Sequence, residues 1–286
     1  MYLNCHTGFS FKYGTLPIKT LFEEAKRCGI HKLALTEINN TASYLEMLRL
    51  CDENKATANG LTKFNKIPYD FDLAVGIEFR SETNDLLYIA IARNNNGFEN
   101  LTRFLSYHNR EERKLPVRAP VIEDVFILYS FGKLEPSQLL PCEYIGVRSG
   151  ELHAFTMYPS RKEYLHKFVA LHSVTFLPPE RVKDTKTKKI KIFYRDHNTH
   201  RLLRCIANNT LLSKLPVHQQ ADKNEFMVSE ANLQKEFDDF PELFANAKKI
   251  LDQCSIECRL GEDKNRKSYF KTTEEDSQYI REKTLE

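Results

Sequence analysis

Several signatures are missing from this sequence, and each absence excludes a class. The cysteines, at positions 5, 28, 51, 142, 205, 254 and 258, are odd in number and form no CxxC pair. A disulfide framework of the secreted kind is therefore excluded, and the thiols read as those of a reduced, cytoplasmic protein. Cys254 and Cys258, four apart, read as core packing rather than a zinc half-site. No apolar run approaches the roughly 20 residues of a bilayer-spanning helix. The opening Tyr2-Leu3-Asn4-Cys5-His6 is too polar for a signal peptide. There is no P-loop, no GxGxxG, no GxSxG, no internal repeat and no low-complexity tract. Charge of one sign is also scarce in excess: 42 basic against 39 acidic residues leave a net +3. Any nucleic-acid contact must then rest on a local patch.

The chain does have enough length, 286 residues, and enough apolar content, 41%, for a substantial core. Strand-like and helix-like segments alternate over its first two-thirds. Strands are expected at Tyr2–Cys5, Lys32–Thr36, Asp72–Ile77, Leu86–Ala92, Val125–Ser130, Tyr144–Val147 and Phe168–Leu171. Helices are expected at Pro17–Cys28, with Ile18, Leu21, Phe22 and Ala25 on one face, at Ser43–Glu53, and at Gly97–His108 with Leu101, Phe104 and Leu105 inward. Lys55–Tyr69 is polar and aperiodic and reads as a surface insertion. This alternation predicts an α/β fold on a parallel sheet, open or closed into a barrel.

After about residue 180 the pattern changes. Lys183, Lys186, Lys188, Lys189 and Lys191 form a basic loop within 181–199. Of these, Lys186, Lys188, Lys189 and Lys191 are candidates for DNA phosphate contact. Phe193 and Tyr194 beside them are a thin basis for base stacking. Helices are expected at His200–Asn208, Glu230–Phe237 and Pro241–Cys254; Gly261–Glu286 is highly charged, with no clear packing face except Tyr269-Phe270.

In α/β folds of this kind chemistry sits at the C-terminal ends of strands. The polar residues there are Asn4 and His6, then Glu37, Asn39 and Asn40, then Glu78, then Arg148, Ser149 and Glu151, and last His172, Ser173 and Thr175. His6, Glu37 and Glu78 are the strong candidates for a divalent metal, and a hydrogen-bonded polar cluster is the plainer reading. Asn94-Asn-Asn-Gly97 reads as a turn into a helix, and Ser149-Gly150-Glu151 as a cap or turn. Glu37 with Glu78 could also serve a metal-free barrel enzyme, but no basic partner is evident.

These positions carry a resemblance. Tyr2-Leu-Asn-Cys-His-Thr-Gly-Phe-Ser-Phe-Lys-Tyr-Gly14 resembles HxHxxxSxxDG, Leu33-Ala-Leu-Thr-Glu-Ile-Asn-Asn40 resembles ALTDHGN, and Val75-Gly-Ile-Glu-Phe79 a GxE strand. Ala92-Arg-Asn-Asn-Asn-Gly-Phe-Glu-Asn-Leu101 is similar to AKNxxGYxNL, and Gly146-Val-Arg-Ser-Gly-Glu-Leu152 to a CLSGEL-like loop. His200-Arg-Leu-Leu-Arg-Cys-Ile206 is similar to HxxLxCI, and Phe237 to Cys258 to an F-x-D-x-P-E-x-x-x-N helix. Together, in order, they resemble the N-terminal PHP (polymerase and histidinol phosphatase) domain of bacterial replicative polymerases, the family C or polymerase III α subunits.

The resemblance implies a distorted, seven-stranded, TIM-like β/α barrel with a helical C-terminal extension. The barrel would occupy 1–180, the basic loop 181–199 and the helical part 200–258, with 259–286 a linker or the start of the palm. Where the family's metal cluster is intact, it supports phosphoesterase or 3′–5′ exonuclease chemistry. Here Asn4 stands at the first His of HxH, His6 keeps the second, and Tyr13 takes the Asp of xDG. Glu37 replaces an Asp, Ile38 the following His, and Glu78 is kept. Leu87 stands at a His, Val147 at a Cys or His, and Ser173 and Thr175 at a late Asp-x-His. Ile, Leu and Val cannot bind a cation, so no cofactor or catalytic residue is expected in this chain. The resemblance further implies a DNA polymerase whose Mg2+-binding palm aspartates lie downstream, this chain being an inactive fragment of it. Its expected partners are the palm and thumb, a separate proofreading exonuclease, and DNA through the whole protein. An active PHP phosphoesterase is the alternative.

Overall fold

The computed structural model describes residues 1–58, 69–183, 190–258 and 269–285, the side chains of 53–58 excepted. The chain opens with strand β1 (Tyr2–Cys5), buried along its whole length, and helix α1 (Ile18–Arg27). Pro17 starts that helix with the fixed φ a first turn needs, and Gly29, at φ +69°, takes the left-handed conformation that ends it. Ile18, Leu21, Phe22 and Ala25 are its buried face, as their spacing predicts. Strand β2 (Lys32–Ile38) and helix α2 (Tyr44–Ala58) follow. Tyr44, Met47 and Cys51, at i, i+3 and i+7, are the buried side of α2. The helix continues through Ala58, where a surface insertion was expected to have begun at Lys55. The rest of that insertion falls largely outside the described residues.

Strands β3 (Asp72–Arg80) and β4 (Leu86–Ala92) come next, then helix α3 (Asn95–Arg110) and strands β5 (Val125–Ser130) and β6 (Glu143–Val147). The short helix α4 (Leu152–Thr156) leads to β7 (Phe168–Ala170) and β8 (Ser173–Val174). These eight strands form one sheet in the order β7-β6-β5-β4-β3-β2-β1-β8. Its two ends, β7 and β8, are consecutive pieces of one segment, separated only by Leu171 and His172. The sheet therefore curls round until that segment reaches both β6 and β1. The resemblance implied seven strands; the eighth is the two-residue β8, in the chain just past β7.

The expectation of a parallel sheet is corrected at one strand. β4 pairs antiparallel with both β3 and β5, while every other pairing in the sheet is parallel. Only Ser81–Asp85 separate β3 from β4, too few residues for the crossover that parallel neighbours need.

The main apolar cluster lies under α1, α2 and α7, with Leu3, Leu33, Leu35, Val75, Phe168 and Ile250 among its members. A second cluster, around Ile77, Phe79, Tyr88, Ala90 and Leu101, packs α3 against β3, β4 and β5. Beyond the sheet, the described residues of 181–199 are not the loop expected of them. They hold β9 (Glu180–Lys183) and β10 (Ile190–Phe193), paired antiparallel as a separate ribbon, and the first turn of α5 (Arg195–Ala207). Two more helices, α6 (Glu230–Lys235) and α7 (Pro241–Asp252), lead to Cys254. Helix α7 lies across β7, β1 and β2, burying Leu243, Phe244, Ala247, Ile250 and Leu251. Cys254 is fully buried beside it, its thiol donating to the Ile250 carbonyl. The last helix, α8 (Thr273–Leu285), has no buried residue.

Candidate functional site

The C-terminal ends of β1, β2, β3 and β8 converge on one polar cluster, almost sealed from solvent. Asn4, His6 and Glu78 are each 1% exposed, Thr175 is fully buried and Tyr13 nearly so. Register brings them together. Asn4 pairs with Ser173 across β1 and β8, and Ile38 of β2 lies opposite Glu78 of β3.

Glu78 is the centre. One carboxylate oxygen accepts from Asn4 Nδ2 at 2.7 Å and from His6 Nε2 at 3.1 Å; the other accepts from Arg80 Nε. Strand alternation places Arg80, two residues on, on the same face as Glu78. Its guanidinium lies over the Tyr13 ring, 4.3 Å from the centroid, and also donates to the Tyr13 hydroxyl at 3.0 Å. Asn39 holds the Arg80 backbone in place, accepting its N–H and donating to its carbonyl, both at 2.9 Å. Burial disfavours the Glu78 carboxylate, but the Arg80 and His6 charges outweigh it and hold the pKa far below the usual carboxylate range.

The partners of His6 call for a proton on each ring nitrogen. The Thr175 hydroxyl gives its proton to Glu225 Oε2 at 2.6 Å, so it accepts from His6 Nδ1 at 3.1 Å. His6 Nε2 faces the Glu78 carboxylate and must donate as well. Burial opposes the imidazolium, and the charge and hydrogen bond of Glu78 overcome it, so the His6 pKa is raised. Two cations, His6 and Arg80, thus face two carboxylates, Glu78 and Glu225. Asn4 is fixed from behind: its Nδ2 also reaches Ser173 Oγ at 2.9 Å, and its Oδ1 accepts from Thr36 at 2.6 Å.

Glu37 is equally buried but does not join this group. Its carboxylate is enclosed by the Thr7 N–H and by the hydroxyls of Thr7, Ser10 and Ser43. The loop after β1 wraps it. Gly14 permits this, because a Cβ there would sit 1.9 Å from the Thr7 carbonyl oxygen. Below Tyr13, His200 of α5 donates from Nδ1 to the Tyr13 carbonyl at 2.7 Å and accepts the Ala221 N–H on Nε2 at 2.9 Å. Those partners fix a neutral tautomer, and burial lowers its pKa to about 4. One turn on, Arg204 donates to the Gln219 carbonyl and side chain, its guanidinium 5.8 Å from the Tyr13 centroid.

The sequence-derived positions are thus sorted. Asn4, His6, Tyr13, Glu78, Ser173 and Thr175 meet; Glu37 lies apart in its own nest of donors. Ile38 packs with Tyr13, Phe176 and Ala221 beside the cluster. Leu87 and Val147 belong to the apolar cores. Arg148, Ser149, Glu151 and His172 line a neighbouring cavity of about 440 Å³. Ser149–Glu151 form a short turn of helix in which Glu151 accepts the Arg148 N–H, the cap expected of them. Asn94 likewise caps α3, accepting the Gly97 N–H. Of the lysine candidates, Lys186, Lys188 and Lys189 lie outside the described residues, and Lys191 lies on β10.

Arg80 and Glu225 are the two charged members of the cluster that are absent from the sequence-derived positions. Arg80 had a signal, its i+2 spacing from Glu78 in a strand. Glu225 had none, for it arrives on the long connection between α5 and α6. The donor set does not suit a metal centre. Both nitrogens of His6 and both oxygens of Glu78 are engaged, and Arg80 places a cation on the carboxylate that would have to ligate. Among the described residues no three His, Cys, Asp or Glu side chains are grouped so as to hold a metal ion. Among them, too, no helix is long and apolar enough to cross a membrane.

The family model described as the PHP domain matches residues 3–153. The chain is also similar to the DNA polymerase III subunit alpha of Escherichia coli strain K12, 24% identical over 294 aligned positions, which take in 92% of this chain and 23% of that protein. The same subunit of Escherichia coli O157:H7 gives the same figures. The chain therefore spans less than a quarter of the length of these relatives. With the family match running from β1 into helix α4, over Asn4, His6, Glu37 and Glu78, the chain belongs to the PHP domain family.

Proposed function

We propose that this PHP domain is the N-terminal part of a bacterial replicative DNA polymerase of the polymerase III α type, and that it serves there as a structural and docking domain without hydrolytic activity. The similarity to polymerase III alpha subunits along 92% of the chain supports the first half. The observation that carries the second is the Arg80 guanidinium bound to Glu78 inside the sealed cluster. A hydrolytic PHP site needs ligands free to hold ions and an opening for a phosphodiester. Here the ligand positions are spent on one another, and Arg80 with His6 supplies the positive charge that ions would bring. The cluster then works as a polar clasp tying β1, β3, β8 and the 222–228 connection together. Polymerisation belongs to a downstream palm, where aspartates would hold Mg2+. The palm, the thumb and a proofreading exonuclease subunit are the partners such a domain would brace or dock, with DNA held by the whole protein.

The test is elemental analysis of the purified chain combined with a phosphodiester assay on single-stranded DNA in added Mn2+ or Zn2+. No stoichiometric metal and no turnover are expected, in wild type or in Glu78→Gln. Stoichiometric metal, with turnover that Glu78→Gln abolishes, would reinstate the alternative, an active PHP phosphoesterase.

A further inference from the structure

Among the described residues, the ribbon formed by β9 and β10 is the one paired element with no share in an apolar cluster: all eight of its residues are exposed. Two-stranded ribbons are marginal in water without a face to pack on. This one nevertheless carries Val182, Ile190 and Ile192, exposed by 47%, 65% and 49%. Its rungs follow a rule. Lys183 pairs with Ile190, Val182 with Lys191, and Arg181 with Ile192, so three of the four rungs couple one cation to one β-branched residue; the fourth joins Glu180 to Phe193. The branched residues favour the extended backbone, and the cations supply charge. Because side chains alternate, Arg181 and Lys183 stand on one face and Lys191 on the other.

Charge is concentrated here beyond anything else in the chain. Between residues 180 and 195 there are seven basic and two acidic side chains, an excess of five, whereas the whole chain has an excess of three. The remainder of the protein is therefore slightly acidic, and the ribbon's own described residues contribute Arg181, Lys183 and Lys191 against Glu180 to this basic stretch.

We infer that the β9–β10 ribbon is a contact element for duplex nucleic acid, bound through its phosphates. A two-stranded ribbon fits the major groove, and cations on both faces address phosphates on both walls. Single strands are disfavoured as the occupant, because among its eight described residues the only aromatic one is Phe193. The inference rests on the polymerase reading only for preferring nucleic acid to other polyanions.

The experiment measures binding of the 286-residue chain to a fluorescent duplex of about 25 base pairs across a salt series, for wild type and for Arg181→Glu/Lys183→Glu/Lys191→Glu. Expected is binding whose logarithm falls linearly with log salt. The triple variant should bind at least about tenfold more weakly, with a slope shallower by about 2 to 3, close to one for each phosphate that no longer meets a cation. Thermal melting should be unchanged, since the substituted side chains are exposed. The charge-neutral Arg181→Gln/Lys183→Gln/Lys191→Gln variant should fall between. Equal affinity and slope in wild type and triple variant overturn the inference, as does equally tight binding to heparin or to anionic vesicles. Hydrolysis and metal content do not enter this readout, so it fails or succeeds apart from the functional proposal above.

Discussion

Glu37 and Glu78 stand at the ends of the neighbouring strands β2 and β3, facing opposite sides of the sheet; both are 1% exposed and are stabilised in opposite ways. Glu37 takes neutral donors, three hydroxyls and a backbone N–H, from the loop after β1 and from Ser43. Glu78 takes charged ones, His6 and Arg80, and is linked through His6 and Thr175 to Glu225. The first arrangement is uncharged and loses a few hydrogen bonds when broken. The second is a balanced set of charges in which no member can leave without exposing another to a dry interior. A buried carboxylate can thus be stabilised either by wrapping it in hydroxyls or by pairing it with permanent cations.

The comparison breaks most sharply at Glu78. Glu78→Ala strands both His6 and Arg80 and should lower unfolding free energy by about 3–5 kcal/mol; a urea-unfolding loss below about 1 kcal/mol would contradict the charge-balance account. Second in size is an acid effect beneath Tyr13. The folded His200 titrates at about 4 against an ordinary 6.5. Protons therefore bind the unfolded chain first, so this contribution is complete above pH 6.5 and declines as pH falls toward 4, by roughly 3 kcal/mol. His200→Gln should flatten that part of the stability–pH curve. His6 has the opposite sign: its raised pKa stabilises at low pH and is lost as pH rises through the folded value. Glu37→Gln should cost less than Glu78→Gln, about 1–3 kcal/mol, since it swaps an acceptor within a neutral nest; an equal loss for the two would erase the distinction. Smallest of all, Lys183→Ala with Lys191→Ala should leave stability within about 0.5 kcal/mol, as expected of exposed positions.

Much of this was legible beforehand where periodicity and punctuation agree. Pro17 and Gly29 bound α1, and β1, β4 and β5 run over the residues their apolar runs predict. The direction of β4 could have been read from the five residues before it. The ribbon was read as loop because Lys183 to Lys191 look like a charge run, and the pairing that makes strands of its flanks is not a property of either flank alone. At the site, identity and position were legible for His6, Glu37 and Glu78. Their partition was not, for it depends on Ser43 and Thr7 reaching Glu37 while Arg80 turns inward. Glu225, fifty residues beyond Thr175, enters through tertiary structure alone.

The way the sheet closes has a consequence for how the chain is made. β1 is held by β2 on one side and by β8 on the other, and the Tyr2 hydroxyl exchanges hydrogen bonds with Val228. A ribosome delivers β1 first and the residues that complete its surroundings more than 160 positions later. Until then the opening strand has one bare edge, and the half-built sheet has no mouth for Asn4 and Glu78 to close. Contacts of such wide sequence separation slow folding and favour all-or-none completion. The nascent chain must therefore spend its synthesis time with an open β-edge, the period in which a chaperone, or pairing with the wrong strand, decides its fate.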